Sequence, residues 1–226
     1  MALILHIETA TKNCSVALAK DGIILDSIDE YSEQYSHAER LHVFIEQLFE
    51  NSIYTLQDLD AIAVGKGPGS YTGLRIGVSS AKGLCFGLKI PLISIDTLTI
   101  LANSQKTTEF DYLIPMIDAR RMEVYTAIFN PDLSFQKEIH ALIVEENSFE
   151  RYTDKKILCF GNGASKCKEI IHDKNFTYLD HCHPSAKDMV NLSFDKFQKK
   201  EFEDVAYFEP FYLKDFVALK SKKSLF

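Results

Sequence analysis

The chain has 226 residues, of which 46% are hydrophobic and 25% charged, a composition typical of a folded globular protein with one large or two small domains. Its formal net charge of −7 argues against autonomous binding to nucleic acid, which usually depends on a basic surface. We see no signal peptide, no apolar run of roughly 20 residues and only scattered cysteines, so we expect a cytoplasmic protein with reduced thiols and no membrane contact.

The first half of the chain predicts a mixed α/β unit. Short β-type runs and helical repeats follow one another in the order strand, strand, strand, helix, strand, helix, strand, helix. We predict these elements over residues 3–8, 14–19, 23–29, 36–52, 59–65, 72–88, 91–96 and 97–104. The first three strands are expected to form an antiparallel meander, and the whole succession predicts a sheet with helices laid against it.

The second half repeats part of that order after a polar stretch at 103–111, which we take as the domain boundary. Strand-like runs at 112–119 and 123–129 meet at a charged turn. Residues 155–172 predict a strand, a glycine turn and a helix, and a further helix is expected near 185–200.

The stretch AVGKGPGSYTGLRIG at residues 63–77 places a glycine loop between a predicted strand and a predicted helix. It matches neither the P-loop pattern GxxxxGK[ST] nor the dinucleotide pattern GxGxxG. The setting still directs backbone N–H groups and the positive end of a helix dipole at whatever lies there. Arg75 falls in the first helical turn, where the dipole disfavours a cation. Arg75 therefore either contacts an anion or is an exposed arginine whose small electrostatic cost is tolerated, and the sequence favours neither explanation over the other.

The helix after this loop carries small residues every four positions, at Gly73, Gly77 and Ala81. A glycine inside a helix costs about 1 kcal/mol relative to alanine, so a series of them calls for the close approach of another backbone. That backbone belongs either to the protein's own sheet or to a partner subunit. Because Leu74 and Val78 are arranged around the glycines, we favour a partner helix.

Two charged clusters are candidates for binding, and each has a plainer explanation. The first lies at a predicted strand turn and consists of Asp118, Arg120, Arg121 and Glu123. Charged clusters at such turns are more often solvated than substrate-binding. A basic run near the C-terminus, either a solvated tail or a contact for RNA phosphates, consists of Lys214, Lys220, Lys222 and Lys223. The HCH segment at 181–183 provides at most two metal ligands, so we expect no metal site there.

Six segments, in order from the first residues nearly to the last, form a distinctive set. They are ILHIETATKNCSVAL (4–18), SHAERL (36–41), GKGPGSYTGLRIGVSSAKGL (65–84), IPLISIDTL (90–98), IDARRMEVY (117–125) and EPFYLKDFVALK (209–220). Together they resemble the TsaB (YeaZ) family of bacterial tRNA threonylcarbamoyladenosine synthesis. The resemblance implies an α/β, actin-like (ASKHA, ribonuclease H-like) fold of two duplicated subdomains with mixed sheets flanked by helices. We place these at 1–104 and 105–226, and the last segment can pack back on the first subdomain.

The resemblance further implies a non-catalytic subunit that binds and stabilises the TsaD transferase. Family members pair with TsaD, and also self-associate, through the two helices of the first subdomain. The TsaE ATPase joins the assembly. The chain meets tRNA only indirectly, through this complex. We therefore expect no catalytic residue, no metal and no cofactor of its own, with ATP or ADP bound only at the composite interface. Carried onto these two helices, the interface positions are His37, Leu41, Phe44, Leu48, Gly73, Leu74, Gly77, Val78 and Ala81.

Two departures from the family pattern bear on nucleotide and metal chemistry. The family usually has Asp where this chain has Glu8, at the hairpin that approaches nucleotide phosphates in an actin-like fold. TsaD-type proteins carry an HxxxH metal pair, and no such pair exists among the seven histidines here. A degenerate nucleotide or anion site, if retained, is expected at Glu8, Gly67, Gly69, Ser70 and Arg75.

Two other function classes are alternatives to the interaction subunit. An actin-like ATPase or kinase would use the loop at 65–75 together with Glu8, and it would bind ATP by itself. A metal-dependent peptidase of the glycoprotease kind would require bound zinc or iron.

Overall fold

The structure is a computed structural model that describes residues 1–33 and 36–214. Its strands are β1 Leu3–Glu8, β2 Asn13–Lys20, β3 Ile23–Tyr31, β4 Ala61–Gly65, β5 Leu92–Ile95, β6 Tyr112–Asp118, β7 Glu123–Phe129, β8 Phe135–Ile143, β9 Ile157–Phe160 and β10 Phe176–Leu179. Its α-helices are α1 His37–Glu50, α2 Tyr71–Leu88, α3 Thr97–Ser104, α4 Ala164–Lys168 and α5 Val190–Lys199. Short 3-10 turns lie at Leu56–Asp58, Glu150–Tyr152 and Ala186–Met189.

The strands form two five-stranded sheets that repeat one topology. The first sheet has the order β3-β2-β1-β4-β5 and the second has the order β8-β7-β6-β9-β10. In each sheet the first three strands of the chain form an antiparallel meander, as predicted for the first half. The fourth and fifth strands then add in parallel beside the first one. The same order and directions occurring twice confirm the predicted fold class, an actin-like α/β fold of two duplicated units with mixed sheets.

Helices α1 and α2 cover one face of the first sheet. Their apolar side chains recur at helical spacing, so each helix turns one face toward the strands. Leu41 and Leu48 of α1 and Val78 and Ala81 of α2 are buried in the same core cluster as the strand residue Leu5. This core holds both long helices against the sheet.

Helices α3 and α5 cross between the two sheets. Helix α3 follows the first sheet, but its Leu98 and Leu101 pack into the core of the second. Helix α5 follows the second sheet and packs back on the first, where Leu192 lies in the cluster of Ile4. A buried hydrogen bond of 2.7 Å joins His6 Nε2 of β1 to Ser193 Oγ of α5. Each sheet thus depends on a helix from the other half of the chain for its covering, so the two cores are expected to fold together.

The second half departs from the predicted elements in two places. The helix expected within 155–172 is only α4, five residues long, and β10 was not predicted. Where the first sheet is covered by α1 and α2, the second has α4 and the short turn at Glu150–Tyr152. Among the described residues, no helix has the length and apolar character needed to cross a membrane.

Candidate functional site

The glycine loop joins β4 to α2 at the carboxyl edge of the first sheet. Gly67 has φ +107°, a left-handed backbone conformation that glycine tolerates without strain. Ser70 caps α2, since its Oγ accepts a hydrogen bond of 3.3 Å from the Gly73 N–H. The loop therefore has the strand–loop–helix geometry that a phosphate site would use.

The backbone donors of this loop are bound by the chain itself. The Lys66 N–H donates to the Ile95 carbonyl at 2.9 Å, and the Ser70 N–H donates to the Ala10 carbonyl at 2.6 Å. The Gly67 N–H donates to Thr97 Oγ1 at 3.2 Å. A phosphate cradle needs such N–H groups pointing at an open space, and here these three are committed to neighbouring segments.

The glycines of α2 allow close approach of the turn between β1 and β2. A Cβ placed on Gly73 would lie closer than 3.0 Å to the Thr9 carbonyl oxygen, and one on Gly77 equally close to Thr9 Oγ1. The Thr9 hydroxyl in turn donates a 2.8 Å hydrogen bond to the Gly73 carbonyl. The structure corrects the favoured explanation of the small-residue stripe: the backbone that approaches belongs to the protein's own β1–β2 turn, and no partner helix is needed.

Glu8 ends β1 and is fully buried behind the glycine loop. Its Oε1 accepts a hydrogen bond of 2.6 Å from the Ala10 N–H, and Thr97 Oγ1 lies 3.5 Å from its Oε2. Burial raises the pKa of this carboxyl to about 7, against the opposing effect of these hydrogen bonds. A Cβ on Gly65 would lie closer than 3.0 Å to Oε2, so this glycine makes the room that the longer side chain takes. Glu8 is therefore enclosed rather than presented to a ligand.

A C-terminal segment, residues 209–214, crosses in front of the glycine loop, and we call it the strap. The Phe211 N–H donates to the Lys66 carbonyl at 2.7 Å. A Cβ on Gly67 would lie 2.9 Å from the Phe211 carbonyl oxygen. The strap thus occupies the approach to Gly67, the position at which an actin-like nucleotide site would hold phosphate.

Arg75 contacts phenol rings. Its guanidinium carbon lies 4.3 Å from the centre of the Tyr71 ring, and Nη2 donates to the Tyr71 hydroxyl at 3.1 Å. Nε lies 3.4 Å from the hydroxyl of Tyr212, and the Tyr71 and Tyr212 rings stack with centroids 4.3 Å apart. A cation over an aromatic face is stabilised by the ring quadrupole, which supplies a reason for Arg75 that needs no anion.

The strap then reaches the second sheet at the turn between β6 and β7. Lys214 forms an ion pair with Glu123 and lies 5.9 Å from the centre of the Tyr125 ring. Across the same turn, Lys166 of α4 pairs with Asp118 and donates to the Arg121 carbonyl at 2.9 Å. The predicted charged cluster is therefore a turn held by ion pairs to α4 and to the strap, and the strap joins it to the glycine loop.

The predicted interface positions on α1 and α2 all lie inside the chain. His37 is 2% exposed and its Nε2 lies 2.6 Å from the Thr11 carbonyl. The glycines Gly73 and Gly77 lie against the β1–β2 turn, and Leu74 is buried beside Gly67. The remaining positions pack into the first core; they are Leu41, Phe44, Leu48, Val78 and Ala81. A partner meeting these helices would touch their exposed neighbours first.

Those neighbours include a large apolar side chain. Phe86 is 82% exposed on α2, and Val43 on α1 is 41% exposed. A Cβ on Gly83 or Gly87 would meet no atom within 4 Å, so these glycines are not explained by internal packing. We call the exposed surface of Val43, Ser79, Gly83, Phe86 and Gly87 the two-helix face.

The other sequence candidates lie apart from the loop. In the described part of the chain, no three His, Cys, Asp or Glu side chains form a group that could hold a metal ion. His183 of the HCH segment stacks on Tyr31 with ring centroids 4.4 Å apart. Of the basic C-terminal run, Lys214 is in the strap, and Lys220, Lys222 and Lys223 lie outside the described residues.

Sequence reasoning missed the residues that close the site, namely Thr9, Thr97, Phe211 and Tyr212. Thr9 and Thr97 lie within segments already singled out, but nothing in their spacing shows that they face the loop. The strap belongs to the EPFYLKDFVALK segment, whose aromatic residues beside a proline were the only local signal.

Comparison with known proteins points to a single process. Residues 32–222 match the family described as "TsaD: tRNA N6-adenosine threonylcarbamoyltransferase". The tRNA threonylcarbamoyladenosine biosynthesis protein TsaB of Escherichia coli strain K12 is 31% identical over 225 residues, which cover 96% of each chain. The protein of the same name from Bacillus subtilis strain 168 is 31% identical over 222 residues, which cover 93% of each chain.

Solved structures agree with this. YeaZ from Pseudomonas aeruginosa superposes with a TM-score of 0.83 and 27% identity, covering 94% of this chain and 100% of that one. The ethanolamine utilization protein EutJ from Carboxydothermus hydrogenoformans gives a TM-score of 0.51 at 8% identity, covering 85% and 90% of the two chains, and so shares the fold alone.

Proposed function

The chain belongs to the TsaB family of tRNA threonylcarbamoyladenosine biosynthesis proteins, and from that premise we propose that it acts in the cytoplasm as a non-catalytic subunit of the synthesis complex. In this proposal it binds and stabilises the TsaD transferase, the TsaE ATPase joins the pair, and tRNA is modified by the transferase. The free chain can pair with a second copy of itself through the same surface.

The observation that carries the non-catalytic role is the filled approach to the glycine loop. The strap bonds to Lys66, the β1–β2 turn lies against Gly73, and Glu8 is enclosed with its carboxyl bound by the Ala10 N–H. A phosphate-transfer site needs open donors and an accessible carboxylate to hold a metal ion. The ATPase or kinase alternative would therefore require the strap and the turn to leave these positions. We propose that nucleotide binds only where a partner subunit completes a site.

The binding role is supported by the two-helix face. Phe86 is 82% exposed, and contact between its apolar ring and water is unfavourable in the free chain. Aromatic side chains are enriched at the centres of interfaces. Gly83 and Gly87 flank it on α2 with open space above them, so another backbone can come close there. Nε2 of His42 on α1 lies 3.2 Å from Oγ of Ser80 on α2, a contact that joins the two helices of this face. We propose that TsaD covers Phe86.

The test is the affinity of the purified chain for the TsaD protein of the same organism, measured by calorimetry. We expect Phe86→Asp to weaken binding at least tenfold, about 1.4 kcal/mol, since it puts a charge at the centre of an apolar contact. Ile143→Asp is the matched control, because Ile143 is 65% exposed on the edge strand of the second sheet. Its binding should equal that of the wild type.

Wild-type affinity in Phe86→Asp would contradict the proposed face. Gly77→Arg would be a poor probe, since the side chain would collide with Thr9 inside the protein. In the same calorimeter, saturable ATP binding by the chain alone would favour the ATPase alternative.

A further inference from the structure

The tip of the β6–β7 hairpin carries two adjacent arginines in an unusual backbone conformation. Arg120 has φ +69° and Arg121 has φ +51°, the left-handed region in which turns usually place glycine or asparagine. Both residues are exposed. A backbone conformation that favours Gly or Asn is thus held at two consecutive positions by arginine, and the hydrogen bonds that close the turn use the backbone groups of these residues.

Neither guanidinium is neutralised by the rest of the described chain. Within residues 1–33 and 36–214, neither Arg120 nor Arg121 forms an ion pair, and the two carboxylates of the same hairpin are taken by other cations. Asp118 is paired with Lys166, and Glu123 is paired with Lys214. The two arginines therefore leave the hairpin tip with uncompensated positive charge.

The strap extends this positive surface toward the first sheet. Lys214 lies at the hairpin, and the hydroxyl of Tyr212, two residues before it, lies 3.4 Å from Nε of Arg75 on α2. The cations along this path are Arg75, Lys166, Lys214, Arg120 and Arg121, and the carboxylates are those of Asp118, Glu123 and, in the strap itself, Glu209. On a chain whose net charge is −7, a local excess of cations concentrates the attraction for a polyanion in one place.

We propose that this basic hairpin, Arg120 and Arg121 with Lys214 behind them, contacts phosphate groups of the tRNA substrate directly. The proposal rests on the proposed function, which brings the chain to tRNA within the complex, and it adds a contact made by this subunit itself. Guanidinium groups bind phosphate oxygens through two parallel N–H donors, and such contacts position a nucleic acid without reading its sequence.

The surroundings of the hairpin favour RNA over an acidic protein surface. A protein interface of ordinary size has an apolar centre. At this tip the large apolar side chains with marked exposure are Met122, at 40%, and Ile143, at 65%, two side chains beside the four cations Arg120, Arg121, Lys166 and Lys214. Phosphate contacts need charge and reach alone, which two arginines at a protruding turn provide.

The experiment uses the complex reconstituted from this chain and TsaD, with an unmodified tRNA transcript as the probe. The double variant Arg120→Asn, Arg121→Gly removes both charges and places residues suited to positive φ, so the hairpin keeps its shape. The matched control is Lys106→Gln, Lys156→Gln, which removes two exposed lysines from the segments that precede β6 and β9. These segments lie at the end of the strands opposite to the hairpin tip.

We expect the hairpin variant to assemble like the wild type and to bind tRNA about tenfold more weakly at moderate salt. The slope of log Kd against log salt should fall by about 1.5, since each phosphate contact contributes roughly 0.7 to 0.9. The control removes the same net charge far from the hairpin, where salt screens its effect on the bound tRNA. It should therefore bind tRNA within about twofold of the wild type.

Each other outcome overturns the inference in an identifiable way. Unchanged tRNA affinity and salt slope in the assembled hairpin variant would exclude a phosphate contact. Loss of assembly in that variant would assign the hairpin to a protein partner instead. If the wild-type chain does not assemble with TsaD, the proposed function fails first, and this inference fails with it.

Discussion

The two sheets share an order of strands, but they differ at the turn that follows their fourth strand. In the first, Gly67 at φ +107° leads into α2, which is 18 residues long. In the second, Gly161 at φ +105° leads into α4, which has five residues. A glycine with positive φ thus follows the fourth strand in both halves, while the helix that could present a surface to a partner is long only in the first.

The antiparallel hairpins beside these turns differ in the opposite sense. Thr9, Ala10 and Thr11 of the β1–β2 turn are buried against the glycine loop and α2. Arg120 and Arg121 of the β6–β7 turn are exposed. One duplicated frame thus carries a closed turn that packs under α2 and an open turn whose tip is exposed to solvent.

Glu8 of the first sheet and Asp118 of the second end equivalent strands, since each is followed by a four-residue turn and then by the antiparallel second strand of its sheet. Glu8 is fully buried, and its Oε1 accepts a hydrogen bond from the Ala10 N–H. Asp118 is exposed and pairs with Lys166. The same strand end thus carries an enclosed carboxyl in the first half and a solvent-facing one in the second.

The largest expected effect comes from removing that carboxyl in Glu8→Gln. The folded-state pKa is about 7, above the unfolded value of 4.5, so the contribution of Glu8 is fully present below 4.5 and is lost as pH rises through 7. Relative to Glu8→Gln, the wild type should lose about 3 kcal/mol of unfolding free energy between roughly pH 4 and pH 8. Urea unfolding of both proteins across pH measures this, and a difference that does not change with pH would contradict the burial of Glu8, the feature that sets it apart from Asp118.

A smaller effect is expected from Gly73→Ala in α2. Overpacking against the Thr9 carbonyl costs about 3 kcal/mol and the better helix propensity of alanine returns about 1, for a net loss of about 2 kcal/mol. Gly83→Ala is the control on the same helix, where the added Cβ meets nothing within 4 Å, and it should gain about 1 kcal/mol. If denaturant unfolding shows the same stability for both variants, the β1–β2 turn is not closely packed on α2.

The smallest effect concerns the open turn. Arg121→Gly relieves the left-handed conformation at φ +51° and should raise the unfolding free energy by about 1 kcal/mol relative to Arg121→Ala. The alanine variant removes the same charge and side chain but keeps the backbone penalty, so thermal unfolding of the pair isolates the backbone contribution. Equal stability of the two would mean that the hairpin tip relaxes at no cost.

Much of the first half could be predicted from the sequence because its signals are local. The β-type run at residues 3–8 predicted β1, the helix predicted at 72–88 is α2, and both lie within one residue of the observed bounds. The duplicated fold also came from the sequence, through the resemblance carried by its six segments. In the second half the short α4 and β10 offered too few residues for either period to be visible.

Only the tertiary structure decided what the glycine loop faces. The stripe at Gly73 and Gly77 required a close backbone, but identifying it as the turn at Thr9 depends on contacts more than sixty residues apart in the chain. Arg75 met Tyr212 across 137 positions, and the strap closed the loop from the far end of the described chain. Local propensity reports how a segment folds upon its neighbours, whereas the closing of a site is set by which distant segments share the core, and no pattern within the loop encodes that choice.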